Sequence, residues 1–115
     1  MTTRLNHITF DCADAARLAD FWSNVLDEAV DDGASPDFAT ITSRTAASWM
    51  FVKVPESKTV KNRVHVDLGA ADLDAEVQRL TGLGATRLAY LDEGGTRWST
   101  LADPEGNEFD VVQTG

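Results

Sequence analysis

Apolar and polar positions alternate in two short stretches of this chain, and each is followed by apolar residues at helical spacing. In residues 4–11, Leu5, His7, Thr9 and Asp11 face one way and Asn6, Ile8 and Phe10 the other, the pattern of a half-buried strand. "ADAARLADFWSNVLDE" then sets Leu18, Phe21, Trp22, Val25 and Leu26 on one stripe, which predicts an amphipathic helix against a sheet. Asp11 or Asp14 can cap its start. "DDGASPD" reads as a turn. Strands are expected near 38–43 and 48–54, with a weaker one at 28–32, and "PESKTVKN" reads as a polar connector.

The second half repeats the plan. Residues 63–69 alternate, with Val64, Val66 and Leu68 on one face and Arg63, His65 and Asp67 on the other. Asp72 can cap a helix whose stripe is Leu73, Val77, Leu80 and Leu83, and Gly84 suits its C-terminal end. Strands are expected at 85–90, 96–102 and 108–113, separated by "DEGG" and by "DPEGN", where Pro presets one backbone angle and Gly supplies a positive one. His65 lies 58 residues beyond His7, and at that offset Val66 meets Ile8, Leu68 meets Phe10, Asp72 meets Asp14 and Leu80 meets Trp22. This is the signature of an internal duplication. The two histidines are the whole supply of imidazole, and both fall at the same place in the repeat.

Composition narrows the function classes. The 115 residues, 43% apolar, suit one domain spanning 1–115, with a first module at about 4–55 and a second at about 62–114. A net charge of -9 repels phosphate backbones and anionic lipid, so neither nucleic acid nor membrane is an expected partner. The exception is "KVPESKTVKNR", which reads as a solvated loop or as a basic rim for an anionic small molecule. The opening "MTTRLNHITF" lacks an uninterrupted apolar run, and no stretch reaches membrane-span length, so a cytoplasmic location is the default. The single cysteine, Cys12, fits a reducing compartment and reads as a small buried residue at a strand–helix junction.

The stretches "LNHITFDCAD", "FVKVPE", "NRVHVDL", "DLDAEVQRLTGLGA" and "ADPEGNEFDVV" resemble the glyoxalase, bleomycin-resistance and extradiol-dioxygenase (vicinal oxygen chelate) superfamily, and in particular its small glyoxalase-like domain proteins. The resemblance covers nearly the whole chain. It implies an α+β fold of two tandem βαβββ modules whose curved mixed sheets form a cup, with helices outside and a small-molecule ligand inside. Ile8 and Phe10 would pack under the first helix, and Val64, Val66 and Leu68 under the second.

In metal-dependent members of the superfamily, a His on the first strand of each module and a carboxylate on the last strand hold a divalent ion. By that resemblance His7, His65 and Asp110 are the expected metal ligands. Two imidazoles and a carboxylate suit Fe(II), Mn(II), Ni(II) or Zn(II). Asp110 is one methylene shorter than the usual Glu. The offset places Val52 where a four-ligand glyoxalase needs another carboxylate, which argues against a true glyoxalase I. Glu108, on the face of Asp110, and Asp67 are expected to move a proton. Thr9, Met50, Val52 and Trp98 are expected to line the ligand site, with Thr9 and Asp67 also able to orient the histidines. Trp98 could equally be core. Trp22 is expected in the core, and Trp49 and Phe51 against a helix.

Each of these residues also has an ordinary structural reading, as polar strand residues or solvated charges. Three functions follow. One is a metal-dependent lyase, isomerase or dioxygenase; the second is a metal-free, antibiotic-type binding protein; the third is an accessory domain without catalysis. Convergence of His7, His65 and Asp110 would favour the first. An imidazole bonded to Asp67 or Glu108 instead would favour binding. A homodimer is implied by the resemblance.

Overall fold

The structure, a computed structural model, describes residues 3–115. It is a mixed α+β fold with two helices and two sheets, of three and four strands. The chain divides into two compact units, the first ending at Ser57 and the second running from Lys58 to Gly115. No helix among the described residues is long and apolar enough to cross a membrane.

The first unit consists of β1 (His7–Cys12), α1 (Ala15–Leu26), β2 (Phe38–Ile41) and β3 (Ser48–Lys53). The sheet order is β1-β3-β2, with β1 parallel and β2 antiparallel to β3. Alternation sends Ile8, Phe10 and Cys12 toward α1 and leaves His7, Thr9 and Asp11 exposed. The core is aromatic. The Phe10 ring lies 5.4 Å from Trp49 and 5.6 Å from Trp22, and Trp22 lies 5.0 Å from Trp49. Trp22 and Phe51 are fully buried, as the helix stripe and strand alternation require. Cys12 is buried beside them. Asp14 caps α1 by accepting the Arg17 N–H at 3.2 Å.

The weak strand expected at 28–32 does not form. Asp31 donates one backbone hydrogen bond to the Thr40 carbonyl at 2.9 Å. Its carboxylate accepts the hydroxyls of Thr40 at 2.6 Å and Thr42 at 2.8 Å, which hold its carboxyl below the usual range. One backbone bond and two side-chain bonds thus join Asp31 to the β2 region without a ladder, and the first unit is βαββ where βαβββ was expected.

The second unit has all five elements: β4 (Asp67–Ala70), α2 (Leu73–Leu83), β5 (Thr86–Glu93), β6 (Thr96–Ala102) and β7 (Glu108–Gln113). The order is β4-β7-β6-β5, with β4 parallel to β7 and the rest antiparallel. Leu73, Val77 and Leu80 of α2 are buried, as are Leu101 on β6 and Phe109 and Val111 on β7. Asp72 caps the helix through the Ala75 N–H at 3.1 Å. Gly84 takes φ 125° at its end, a conformation that side-chain-bearing residues avoid.

The D-P-E-G-N turn is built on Asp103, which is 3% exposed. Its Oδ1 accepts the backbone N–H groups of Glu105 at 2.9 Å and Asn107 at 3.0 Å, and the Asn107 amide donates to both carboxylate oxygens. Gly106 turns the chain at φ 86°. This hub fixes the register in which Thr100 opposes Asp110 and Ala102 opposes Glu108.

One expectation is corrected here. The alternation at 63–69 predicts a strand from Arg63, with Val64 under the helix. The strand starts at Asp67, and Val64 is 83% exposed. Asn62 and Glu108 tether the chain ahead of the strand. Glu108 Oε1 accepts the Asn62 N–H at 3.0 Å, and the Asn62 side-chain amide donates to the Glu108 carbonyl at 3.1 Å. The Asp110 N–H also donates to the Val66 carbonyl at 3.0 Å, so pairing with β7 begins just ahead of Asp67.

Candidate functional site

The helix-free face of the second sheet gathers carboxylates. Leu101, Phe109 and Val111 point toward the core, so alternation turns Glu108, Asp110, Thr100 and Trp98 to the opposite face. β4 adds Asp67 directly beside Asp110, its register partner. Like charges side by side on adjacent strands repel. His65, just before β4, reaches both: its Nδ1 lies 2.8 Å from Asp67 Oδ1 and 3.6 Å from Asp110 Oδ2. A positive charge at this point, on the imidazole or on an ion, offsets that repulsion.

His65, Asp67 and Asp110 each place a ligand-type atom within 4.8 Å of the others, the geometry of a possible metal centre. One imidazole and two carboxylates form a donor set that suits Mn(II), Fe(II), Ni(II) or Zn(II). Asp110 is oriented by Thr100, whose hydroxyl donates to its Oδ1 at 2.6 Å and leaves Oδ2 toward His65. The His65 side chain is 41% exposed and that of Asp110 18%, so the cluster is open to solvent on the imidazole side.

Of the expected ligands, His65 and Asp110 come together within this unit, and Asp67 joins them. His7 lies in the first unit, exposed at the head of β1 with Ser48 as its register partner. Glu108 shares the face of Asp110 but is occupied. Its Oε1 pairs with Lys58 Nζ at 3.1 Å and accepts the Asn62 N–H, and these bonds, that from Asn62 foremost, hold its carboxyl below the usual range. Lys58 of the basic stretch is thereby engaged internally. Trp98 is half-buried on the helix-free face. Met50 and Val52 are half-buried and alternate away from the helix-facing Trp49 and Phe51, and Thr9 is exposed on the outward face of β1.

Sequence reasoning missed two supporting residues, Thr100 and Asn62. Thr100 was within reach of it, because strands flanking a five-residue turn pair in a fixed register. Asn62 had no such signal, since its role depends on the side chain of Glu108 in a distant strand.

A family profile described as a glyoxalase-like domain matches residues 7–112, and the chain belongs to that family. Among solved structures, the chain is similar to a glyoxalase/bleomycin resistance protein/dioxygenase family enzyme from Burkholderia phytofirmans PsJN. The TM-score is 0.79 and the identity 17%, over 96% of this chain and 98% of that one. It is also similar to the fosfomycin resistance protein FosX from Mesorhizobium loti, with a TM-score of 0.75 and 16% identity over 100% and 95% of the two chains. A third similar structure is the oxidase ChaP-H2, with a TM-score of 0.66 and 17% identity over 100% and 96%. At these identities the likeness is one of fold. No curated protein matches the chain.

Proposed function

We propose that the chain binds a small molecule at a site organised by a divalent metal ion, with His65, Asp67 and Asp110 as ligands. The observation that carries this reading is the meeting of His65, Asp67 and Asp110 within 4.8 Å. Such an ion, when bound, acts as a Lewis acid on a carbonyl or a vicinal oxygen pair, the chemistry shared by lyases, isomerases and dioxygenases of this superfamily.

The chain's own residues divide the work. His65 Nδ1 is the ring nitrogen that faces both carboxylates, at 2.8 Å from Asp67 and 3.6 Å from Asp110, and would take an ion held between them. Thr100 fixes the Asp110 carboxylate. Glu108 is a poor proton acceptor, because its lowered carboxyl is a weak base already committed to Lys58 and Asn62. Trp98 offers a planar apolar surface on the same sheet face. Thr9, Met50 and Val52 keep their assignment as ligand-lining residues of the first module. The family resemblance gives His7 a matching ligand role.

A second reading, metal-free binding, is favoured by the His65–Asp67 bond, because it satisfies the imidazole without an ion. Elemental analysis separates the two. Untagged protein is dialysed against mixed divalent metals beside His65→Ala and His7→Ala. The metal reading expects about one ion per wild-type chain and almost none in His65→Ala, with His7→Ala testing the resemblance. A metal-free wild type would overturn it and direct work to a ligand screen.

A further inference from the structure

The outer strand of the second sheet, β5, lies at the end of the strand order β4-β7-β6-β5. β5 hydrogen-bonds to β6 and to no other described strand, and of its eight residues all but half-buried Leu91 are exposed. Leu88 is 52% exposed and Tyr90 49%. An edge of this kind presents unpaired backbone groups as a template for another strand.

The register on β6 assigns each residue a face. Arg87 opposes Leu101, Tyr90 opposes Ser99 and Asp92 opposes Arg97. Leu101 and Ser99 are buried on the side of α2, so Arg87, Tyr90 and Asp92 share the helix side. Thr86, Ala89, Leu91 and Glu93 oppose Ala102, Thr100, Trp98 and Thr96, and share the other side. Arg87 and Ala89 lie on different faces because the register slips between them, and Leu88 is the extra residue of the bulge. In an unbroken strand Arg87 and Asp92, five positions apart, would point to opposite faces.

We propose that β5 is a homodimer interface, in which a second copy adds its own β5 antiparallel across a twofold axis through Tyr90. Such an axis stands perpendicular to the sheet, and residues brought opposite each other must share a face. With Leu88 left over in each strand, Ala89 meets Leu91, Arg87 meets Asp92 and Thr86 meets Glu93. Each Arg–Asp pairing forms twice. Bulges and charges commonly protect an edge from pairing with arbitrary strands. Here the bulge is what makes the charges self-complementary, which selects a copy of the same chain. The groove of about 590 Å³ lined by Val77, Gln78, Arg87, Tyr90, Arg97 and Ser99 opens on the same side, so the apposed strands bring the two grooves edge to edge. Arg97 stacks over the Tyr90 ring at 5.6 Å and donates to its hydroxyl at 2.7 Å, presenting the ring in a fixed pose.

Sedimentation velocity over a concentration series tests this, with circular dichroism confirming the fold of each variant. Wild-type protein is expected to dimerise. Arg87→Asp and Asp92→Arg each set two like-charge pairs across the axis and are expected to weaken the dimer about tenfold or more. The combined swap R87D/D92R restores opposite charges and is expected to restore dimerisation. Independently, Y90C is expected to cross-link to its symmetry mate on oxidation, since directly opposed strand residues lie within disulfide reach. A wild type that stays monomeric at every concentration would overturn the proposal. So would a dimer indifferent to both single swaps and without a Y90C cross-link.

Discussion

The two repeats use the same plan for different ends. In the first, alternation places Phe10 and Trp49 against Trp22 and Phe51 against Phe10, and the opposite face carries mostly neutral side chains such as Thr9, Ser48, Met50 and Val52. In the second, the helix-facing side is largely aliphatic, with Leu73, Val77, Leu80, Leu101 and Val111, while the opposite face holds Asp67, Glu108 and Asp110. A strand has two faces, so one set of positions can be optimised for packing while the other collects chemistry. The comparison predicts that stability losses dominate in the first repeat and binding losses in the second.

The largest effect is expected from Phe51→Ala, which empties a fully buried site beside the Phe10 ring. It should cost about 3–5 kcal/mol in urea unfolding. A loss below about 1 kcal/mol would show that the first repeat does not depend on this packing. Asp103→Ala comes next. It leaves the Glu105 and Asn107 donors of a half-exposed turn without their acceptor and should cost about 1–2 kcal/mol. A second consequence follows if the turn sets register: the variant should also lose metal, because Thr100 and Asp110 would no longer be held opposite each other.

Glu108→Gln is expected to cost about 1 kcal/mol at neutral pH, by weakening the bonds to Asn62 and Lys58. Its pH dependence is specific. The folded carboxyl is held below its unfolded value, so its contribution is fully present above the unfolded value and fades as pH falls through the folded one. The difference between wild type and variant should therefore shrink in acid unfolding experiments. A difference that grows in acid would contradict the assignment. His65→Ala should be nearly silent in stability, within about 0.5 kcal/mol, because the residue is exposed and precedes the strand.

Much of this contrast was legible in the sequence. The helix stripes, save Leu83, which is exposed at the end of α2, both Asp caps, the Gly84 end and the strands at 96–102 and 108–113 follow from local periodicity and turn chemistry, and they stand in the structure with those residues. The failures have a common cause. Residues 28–32 and 63–66 have strand-like patterns, but they are tied to β2 and β7 by a backbone bond at Asp31 and at Val66 and by side-chain bonds at Asp31 and Glu108, without forming a ladder. Such bonds join residues far apart in sequence, and periodicity carries no trace of them. The same limit applies to the site. The repeat drew attention to His65, and the family resemblance to Asp110. The meeting of Asp67 with Asp110 depends on the parallel register of β4 and β7, and no local pattern states that register.

The central claim is that the second repeat's carboxylate face holds an ion through His65. Only two histidines are present, so their ring nitrogens can be followed directly by proton–nitrogen correlation NMR as Zn(II) is added. The account predicts that the His65 ring signals move to a metal-bound position and saturate at about one equivalent, and that the Asp110→Asn variant loses this response. Ring signals of His65 that stay unchanged through the titration would contradict it.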